Sequence, residues 1–228
     1  MTESLQVYWS RVIEFAPKIA ESMQETSIML ILASIAAILF GIPIGTALFL
    51  TAPGKPRENR WIYQLSNIFV NIVRSFPFLL LVVAMQPAIR AIYGRATGDP
   101  IAASFPMMLI AIALYARFVE QSLLDVSKGV IEVANAMGAT TWQLVRKFLF
   151  VESRSSLIIG FTSAFVSFIS YSTIMGVVGG GGIGDFALRY GYQRYETDIM
   201  YTAIVVIIIF VQIIQWSGFK LARKLDKR

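Results

Sequence analysis

The fold class this sequence predicts is an all-α polytopic membrane protein, and three observations predict it. Apolar residues make up 56% of the 228 residues and charged residues only 15%, whereas about a quarter of a soluble domain is charged. Mean hydropathy is +0.65. Charge is also absent over long runs: 29 residues between Glu25 and Lys55, 30 between Arg154 and Asp185, 21 between Asp198 and Lys220, and 17 between Asp99 and Arg117. A helix needs roughly 20 mostly apolar residues to cross a bilayer.

Taken in order, residues 1–26 hold two basic and four acidic residues. They lack the positive leader, short apolar core and small-residue cleavage site of a signal peptide. Val7, Trp9, Val12, Ile13, Phe15, Ile19 and Ala20 recur at roughly helical spacing, so an amphipathic helix on the outer surface is expected. Five spans follow, at about 27–51, 64–90, 102–123, 156–178 and 198–219. The first contains Gly41-Ile42-Pro43-Ile44-Gly45, which predicts a kink. The second is interrupted by Arg74, yet its flanks, Trp61-Ile62-Tyr63 and Ile92-Tyr93, suit interfacial anchors. The transmembrane domain is thus expected over 27–220, with a loop at about 124–155 and a basic tail at 221–228. Nothing reads as a soluble domain, an internal repeat or a low-complexity tract.

Five spans put the termini on opposite sides, and Lys and Arg choose which. The linker after the first span, the 117–155 segment and the tail carry 13 of the 20 basic residues, the other side 6, and Arg74 is the last. The N-terminus is therefore expected outside and the C-terminus in the cytoplasm. The net charge of +6 is mostly this bias and not a nucleic-acid footprint. With no Cys and no His, disulfides, thiolate nucleophiles, His-ligated metals and Ser-His catalysis are excluded. The largest cytoplasmic piece is far too small for an energy-consuming machine, which must come from another chain.

That piece, LDVSKGVIEVANAMGATTWQLVRKFLFVESRS, is the most informative stretch. Ser127 can cap a helix bearing Val130, Ile131, Val133, Ala134 and Met137 mostly on one face. Gly138-Ala139-Thr140 ends it, and Thr140 or Thr141 can cap a second helix with Trp142, Leu144, Val145, Phe148 and Leu149. Two short amphipathic helices at a sharp turn offer an apolar face with nothing in the chain to bury it. A groove on a soluble partner would cover it; so would the lipid surface.

Glu132-Val133-Ala134, three residues, then Gly138 resembles the EAA loop of bacterial ABC importer permeases. Val133 replaces an Ala of that pattern, and Phe150-Val151 stands where Leu-Pro is usual, which removes a helix stop before the fourth span. From about residue 26 to 224 the chain is similar to methionine-importer permeases. Asn71-Ile72-Val73-Arg74-Ser75-Phe76-Pro77-Phe78, Ala116-Arg117-Phe118-Val119-Glu120, Ala136-Met137-Gly138-Ala139-Thr140, Val145-Arg146-Lys147, Gly179–Gly182 and Arg189-Tyr190-Gly191-Tyr192 all match that family in order.

The resemblance implies a multi-pass permease of the bacterial cytoplasmic membrane that works as a homodimer, with two copies of a cytoplasmic ABC ATPase and an extracytoplasmic substrate-binding lipoprotein. It implies no catalysis and no cofactor on this chain, ATP and Mg being bound by the ATPase. Methionine is the implied substrate, with another small amino acid or a short peptide as alternatives. A secondary carrier would need more titratable groups within the spans than Arg74. A membrane scaffold would explain the exposed loop but not the EAA-like pattern. Two bundles can enclose a pathway on a twofold axis that five helices barely surround.

The resemblance makes Glu132, Ala134, Met137, Gly138, Ala139 and Thr140 the expected ATPase-coupling residues; a solvated Glu and an ordinary helix stop are the plain alternatives. Arg117 and Glu120, at i,i+3, can pair and brace the loop. Arg74, costly at a span's centre, should face the bundle interior, line the pathway, or pair with carbonyls near Pro77. Ser163, Ser167, Ser170 and Tyr171 form a polar stripe on the fourth span that can line a pathway, with Met175 as a constriction, or serve helix packing. Gly179–Gly184 formally contains G-x-G-x-x-G, but no strand precedes it and no Lys-Ser/Thr follows, so a re-entrant turn near the outer gate is expected instead of a nucleotide site.

Overall fold

The computed structural model describes residues 2–226 and is helical throughout, with no strand among the described residues. Lys227 and Arg228 of the expected basic tail, and Met1, lie outside them. Helix α1 (Thr2–Ala36) passes through a π-helical turn, Ala37–Gly41, into α2 (Ile42–Thr51). Then come α3 (Arg60–Ser75), α4 (Phe78–Tyr93), α5 (Pro100–Leu124) and α6 (Lys128–Ala136). The short α7 (Thr141–Gln143), a π-helical Leu144–Leu149 and α8 (Phe150–Glu152) lead to α9 (Arg154–Val177). The chain ends with α10 (Gly182–Phe186), a π-helical Ala187–Tyr192 and α11 (Thr197–Leu225).

Four helical stretches are long and apolar enough to cross a membrane, Gln6–Thr51, Pro100–Leu124, Arg154–Val177 and Thr197–Leu225, and α3 with α4 makes a fifth if that bent pair is one span. Four of the expected spans thus lie within these helices or within a residue of them. The second span, and the separate segment expected before the first, need correcting. No break separates residues 2–26 from the first span, and both cations before residue 26 find partners of their own. Arg11 pairs with Glu196 at 2.9 Å and with Asp198 at 3.1 Å. Lys18 sits 4.8 Å from the centre of the Tyr190 ring. Phe15 and Ile19 are buried with Ile183, Phe186, Ile199 and Ala203 instead of lying on a surface. Val7, Trp9 and Ile13 do remain exposed.

The expected second span, 64–90, is broken. Phe76 and Pro77 are both extended, with ψ of 127° and 123°. Pro77 explains this, since its ring disfavours the helical region for the residue before it. Arg74 then occupies the last turn of α3, where the carbonyl end of a helix favours a cation, and not the middle of a continuous span.

At the kink expected over Gly41–Gly45 the helix makes a π-helical turn just before Pro43, whose missing N–H interrupts the α-helical ladder there. Asn59 caps α3 by accepting from the Trp61 and Ile62 amides. Asp99 accepts from the Ile101 amide at 2.8 Å, with Pro100 opening α5.

The described chain resolves into two units. The first holds the residues up to Ser34, Pro77–Met108 and Val166–Ile213, with the Phe15-Phe186 cluster and a smaller one at Ile89, Ala96 and Ala102. The second holds Ile35–Phe76, Leu109–Phe165 and residues 214–226. In the second, small residues let helices approach closely. A Cβ at Gly41 would stand 3.1 Å from the Ile112 carbonyl, and one at Gly45 would collide with that of Ala116.

Candidate functional site

The hairpin over 128–152 is set by back-to-back caps. Gly138 adopts φ +69°. Its amide donates to the Asn135 carbonyl at 3.0 Å and the Ala139 amide to that of Ala134 at 3.0 Å, the two bonds of a Schellman stop. Thr140 then opens the next helix: its hydroxyl accepts from the Gln143 amide while the Gln143 side chain accepts from the Thr140 amide at 2.9 Å, a capping box. Ser127 does stand at the cap position of α6, but its side chain makes no capping bond there. Arg57 Nε donates to Thr141 Oγ1 at 2.7 Å, tying the hairpin to the linker after α2.

Beyond α8 only Ser153 departs from helical shape, and the ladder carries through it: its amide donates to Leu149 and its carbonyl accepts from Leu157. The approach to α9 is nearly continuous, as the missing proline at 150–151 predicts.

The apolar face is only half free. Ala134, Leu144, Val145 and Leu149 are buried, because α6 and the 144–149 turn pack on one another and hide most of their facing surfaces. Val133, Met137 and Trp142 are left outward, 55%, 73% and 68% exposed. Glu132, Gly138 and Thr140 are exposed and Ala139 is half-buried. Glu132 lines a shallow hollow of about 330 Å³ with Lys55, Lys128 and Asn135 among its walls. Of the six expected coupling residues, only Ala134 is unavailable to a partner.

Arg117 does more than pair with Glu120. Its Nη1 donates to Glu120 Oε2 at 2.5 Å, and its Nη2 donates to Asn67 Oδ1 at 2.9 Å and to Asn71 Oδ1 at 2.6 Å. Asn71 Nδ2 donates in turn to Asn67 Oδ1 at 3.2 Å. Glu120 is buried. One guanidinium thus clamps α3 onto α5. The Asn-x-x-Arg-Ser and Ala-Arg-x-Val-Glu segments, read separately in the sequence, meet here. Asn67 and Asn71 carried no signal of this, since their partner lies 46 to 50 residues away.

The stripe on α9 divides. Ser163 and Ser170 are exposed, with hydroxyls bonded to the carbonyls of Ile159 and Val166. Ser167 and Tyr171 are half-buried, and the Tyr171 ring stacks 4.6 Å from that of Phe78. Met175, expected as a constriction, is 2% exposed and packed inside the chain beside Gly180. Arg74 is exposed.

The Gly179–Gly184 turn is tightly packed. Gly179, Gly181 and Gly182 have φ near +80°, a region that disfavours any side chain. The Gly182 amide donates to Glu25 Oε2 at 2.6 Å and the Ile183 amide to Thr26 Oγ1 at 2.9 Å. A Cβ at Gly176 would collide with the Asp185 backbone, and one at Gly184 would stand 2.6 Å from Thr173 Cα. Sequence reasoning missed Glu25 and Thr26 as the holders of this turn, 157 residues away.

Long apolar helices, a broken helix pair and an exposed capped hairpin describe a helical membrane protein. Residues 41–228 match the model of the binding-protein-dependent transport system inner membrane component family, and the chain belongs to that family. It is 39% identical to a probable D-methionine transport system permease protein of Pasteurella multocida, over 91% of this chain and 95% of that protein. It is 38% identical to a methionine import system permease protein of Bacillus subtilis, over 79% and 81%. A solved structure of inward-facing conformations of the MetNI methionine ABC transporter superposes with a TM-score of 0.90 at 34% identity, over 94% of this chain and 99% of that one.

Proposed function

We propose that this chain is the permease subunit of an ATP-driven importer of methionine or a related small amino acid, working by alternating access. It pairs with a second copy of itself, two copies of a cytoplasmic ABC ATPase and an extracytoplasmic binding lipoprotein. The N-terminus lies outside and the C-terminus in the cytoplasm, with α3 and α4 together counted as one of five spans. The names of the relatives above support the substrate, and the placement of basic residues supports the orientation.

The observation that carries the coupling role is the hairpin itself: rigidly capped, yet presenting Glu132, Val133 and Met137 outward. An ATPase surface that covers those residues in one nucleotide state and pulls on them in another shifts the permease between conformations. Glu132, Ala134, Met137, Gly138, Ala139 and Thr140 form or shape that contact. Arg74, Ser163, Ser167, Ser170 and Tyr171 are the pathway candidates. Met175 joins them as a constriction if the transport cycle uncovers it.

The test is ATP-dependent uptake of labelled L-methionine by proteoliposomes holding this chain, its genomically neighbouring ATPase and its binding lipoprotein. Uptake that needs all three and is lost in Glu132→Lys is the expected result. ATP hydrolysis stimulated by the binding protein without methionine uptake would move the substrate elsewhere. An ATPase that never associates would sink the coupling role.

A further inference from the structure

The second unit contains an apolar groove that transport as described does not use. It has a volume of about 650 Å³ and runs along one stripe of the first helix, from Ile38 to Leu50, against Trp142, Val145 and Phe150 of the hairpin. Twelve residues of helix rise about 18 Å, close to the depth of one leaflet, about half of a 30 Å hydrocarbon core.

One end of the groove is polar. Arg57 bonds there to Thr141, a lining residue, while its own amide donates to the Leu50 carbonyl. Trp142 also borders a second hollow of about 420 Å³ lined by Arg146 and Lys147, and the Arg146 guanidinium lies 5.9 Å from the Trp142 ring centre. Arg57, Arg146 and Lys147 are all exposed. About one helical turn from Leu50, Thr46 also lines the groove; it is 8% exposed, with its hydroxyl buried.

We propose that this groove binds one anionic phospholipid of the leaflet on the hairpin side. An acyl chain fills the apolar stripe. The phosphate lies among Arg57, Arg146 and Lys147. Charge complementarity favours this occupant over another apolar helix, which would leave three cations unanswered. An interfacial tryptophan beside a basic cluster is also the arrangement that anionic headgroups select. The proposal rests on the orientation given above, which puts the hairpin in the cytoplasm, but not on the identity of the transported substrate.

The test uses the full chain purified with its ATPase, exchanged into nanodiscs of mixed phosphatidylglycerol and phosphatidylcholine, and native mass spectrometry of the lipid that stays bound. The expected result is phosphatidylglycerol retained in excess. Retention should fall roughly fivefold for each cation removed in the series Arg57→Gln, Arg146→Gln and Lys147→Gln. Both lipids should be lost when Ala47→Trp fills the groove, with chromatographic assembly as the check that each variant folds. Equal retention of the two lipids, or phosphatidylglycerol that persists in Ala47→Trp, overturns the proposal. So does a cysteine introduced by Leu39→Cys, an exposed groove residue, in this Cys-free chain, if it is shielded from a lipophilic maleimide only when the ATPase or a second copy is bound. None of these readouts requires uptake, so an importer that fails to carry methionine would leave them interpretable.

Discussion

The glycine-rich turn of the first unit and the hairpin of the second are both sharp reversals built on glycine, and they treat their surroundings oppositely. The turn is consumed by its own chain. Glu25 and Thr26 answer its amides, Met175, Ile183 and Phe186 are buried around it, and the backbones at Gly176 and Gly184 leave no room for a methyl group. The hairpin answers its own polar groups locally and leaves Val133, Met137 and Trp142 outside, and a Cβ at Gly138 would meet nothing within 4 Å. The first arrangement maximises what folding gains from the turn; the second forgoes part of that gain and keeps a surface for something else.

Substitutions can break or sharpen this contrast. The largest effect is expected at Gly176→Val, where a side chain must displace the Asp185 backbone; overpacking there should cost more than about 4 kcal/mol and abolish recovery of folded protein, read by monodisperse yield in detergent. Arg117→Ala comes next. It strands the buried Glu120 carboxylate, which should cost about 3 kcal/mol as a lowered unfolding midpoint, while Arg117→Ala combined with Glu120→Gln should recover much of the loss. A double variant no better than the single one would show that the two asparagines, and not the carboxylate, dominate the clamp.

Glu25→Gln removes the charge from the bond to the Gly182 amide and should cost about 1.5 kcal/mol, again read by thermal unfolding. The smallest stability effect, within about 0.5 kcal/mol, is expected for Val133→Ser with Met137→Ser. That pair should still lose most ATPase association in a pull-down. Unchanged association would place the partner's contact elsewhere and erase the contrast.

The two regions also differ in how far they could be read before folding. The hairpin was legible because its signals are local: Gly138 stops one helix and Thr140-x-x-Gln143 starts the next within a handful of residues. What was not legible there is that Ala134 and Leu144 are buried where α6 and the 144–149 turn pack, since helical periodicity shows that a face is apolar but not what covers it. The long charge-free runs located four spans for the same local reason. The continuation of α1 through its charged first half was invisible, because Arg11 finds Glu196 and Asp198 across nearly the whole chain. The holders of the glycine turn and the asparagines of the Arg117 clamp escaped on the same ground. Pro77 was visible, but the apolar run on either side of it outweighed its effect on Phe76.

The double cap of the hairpin makes its form local. Its shape is written into ten consecutive residues, Ala134 to Gln143, and the hydrogen-bond ladder carries on through the bend at Ser153 toward α9. A reversal whose two shoulders are each closed by their own hydrogen bonds keeps its form without help from the residues around it. That compactness makes it portable: those ten residues, grafted into another permease at the equivalent turn, should keep their form.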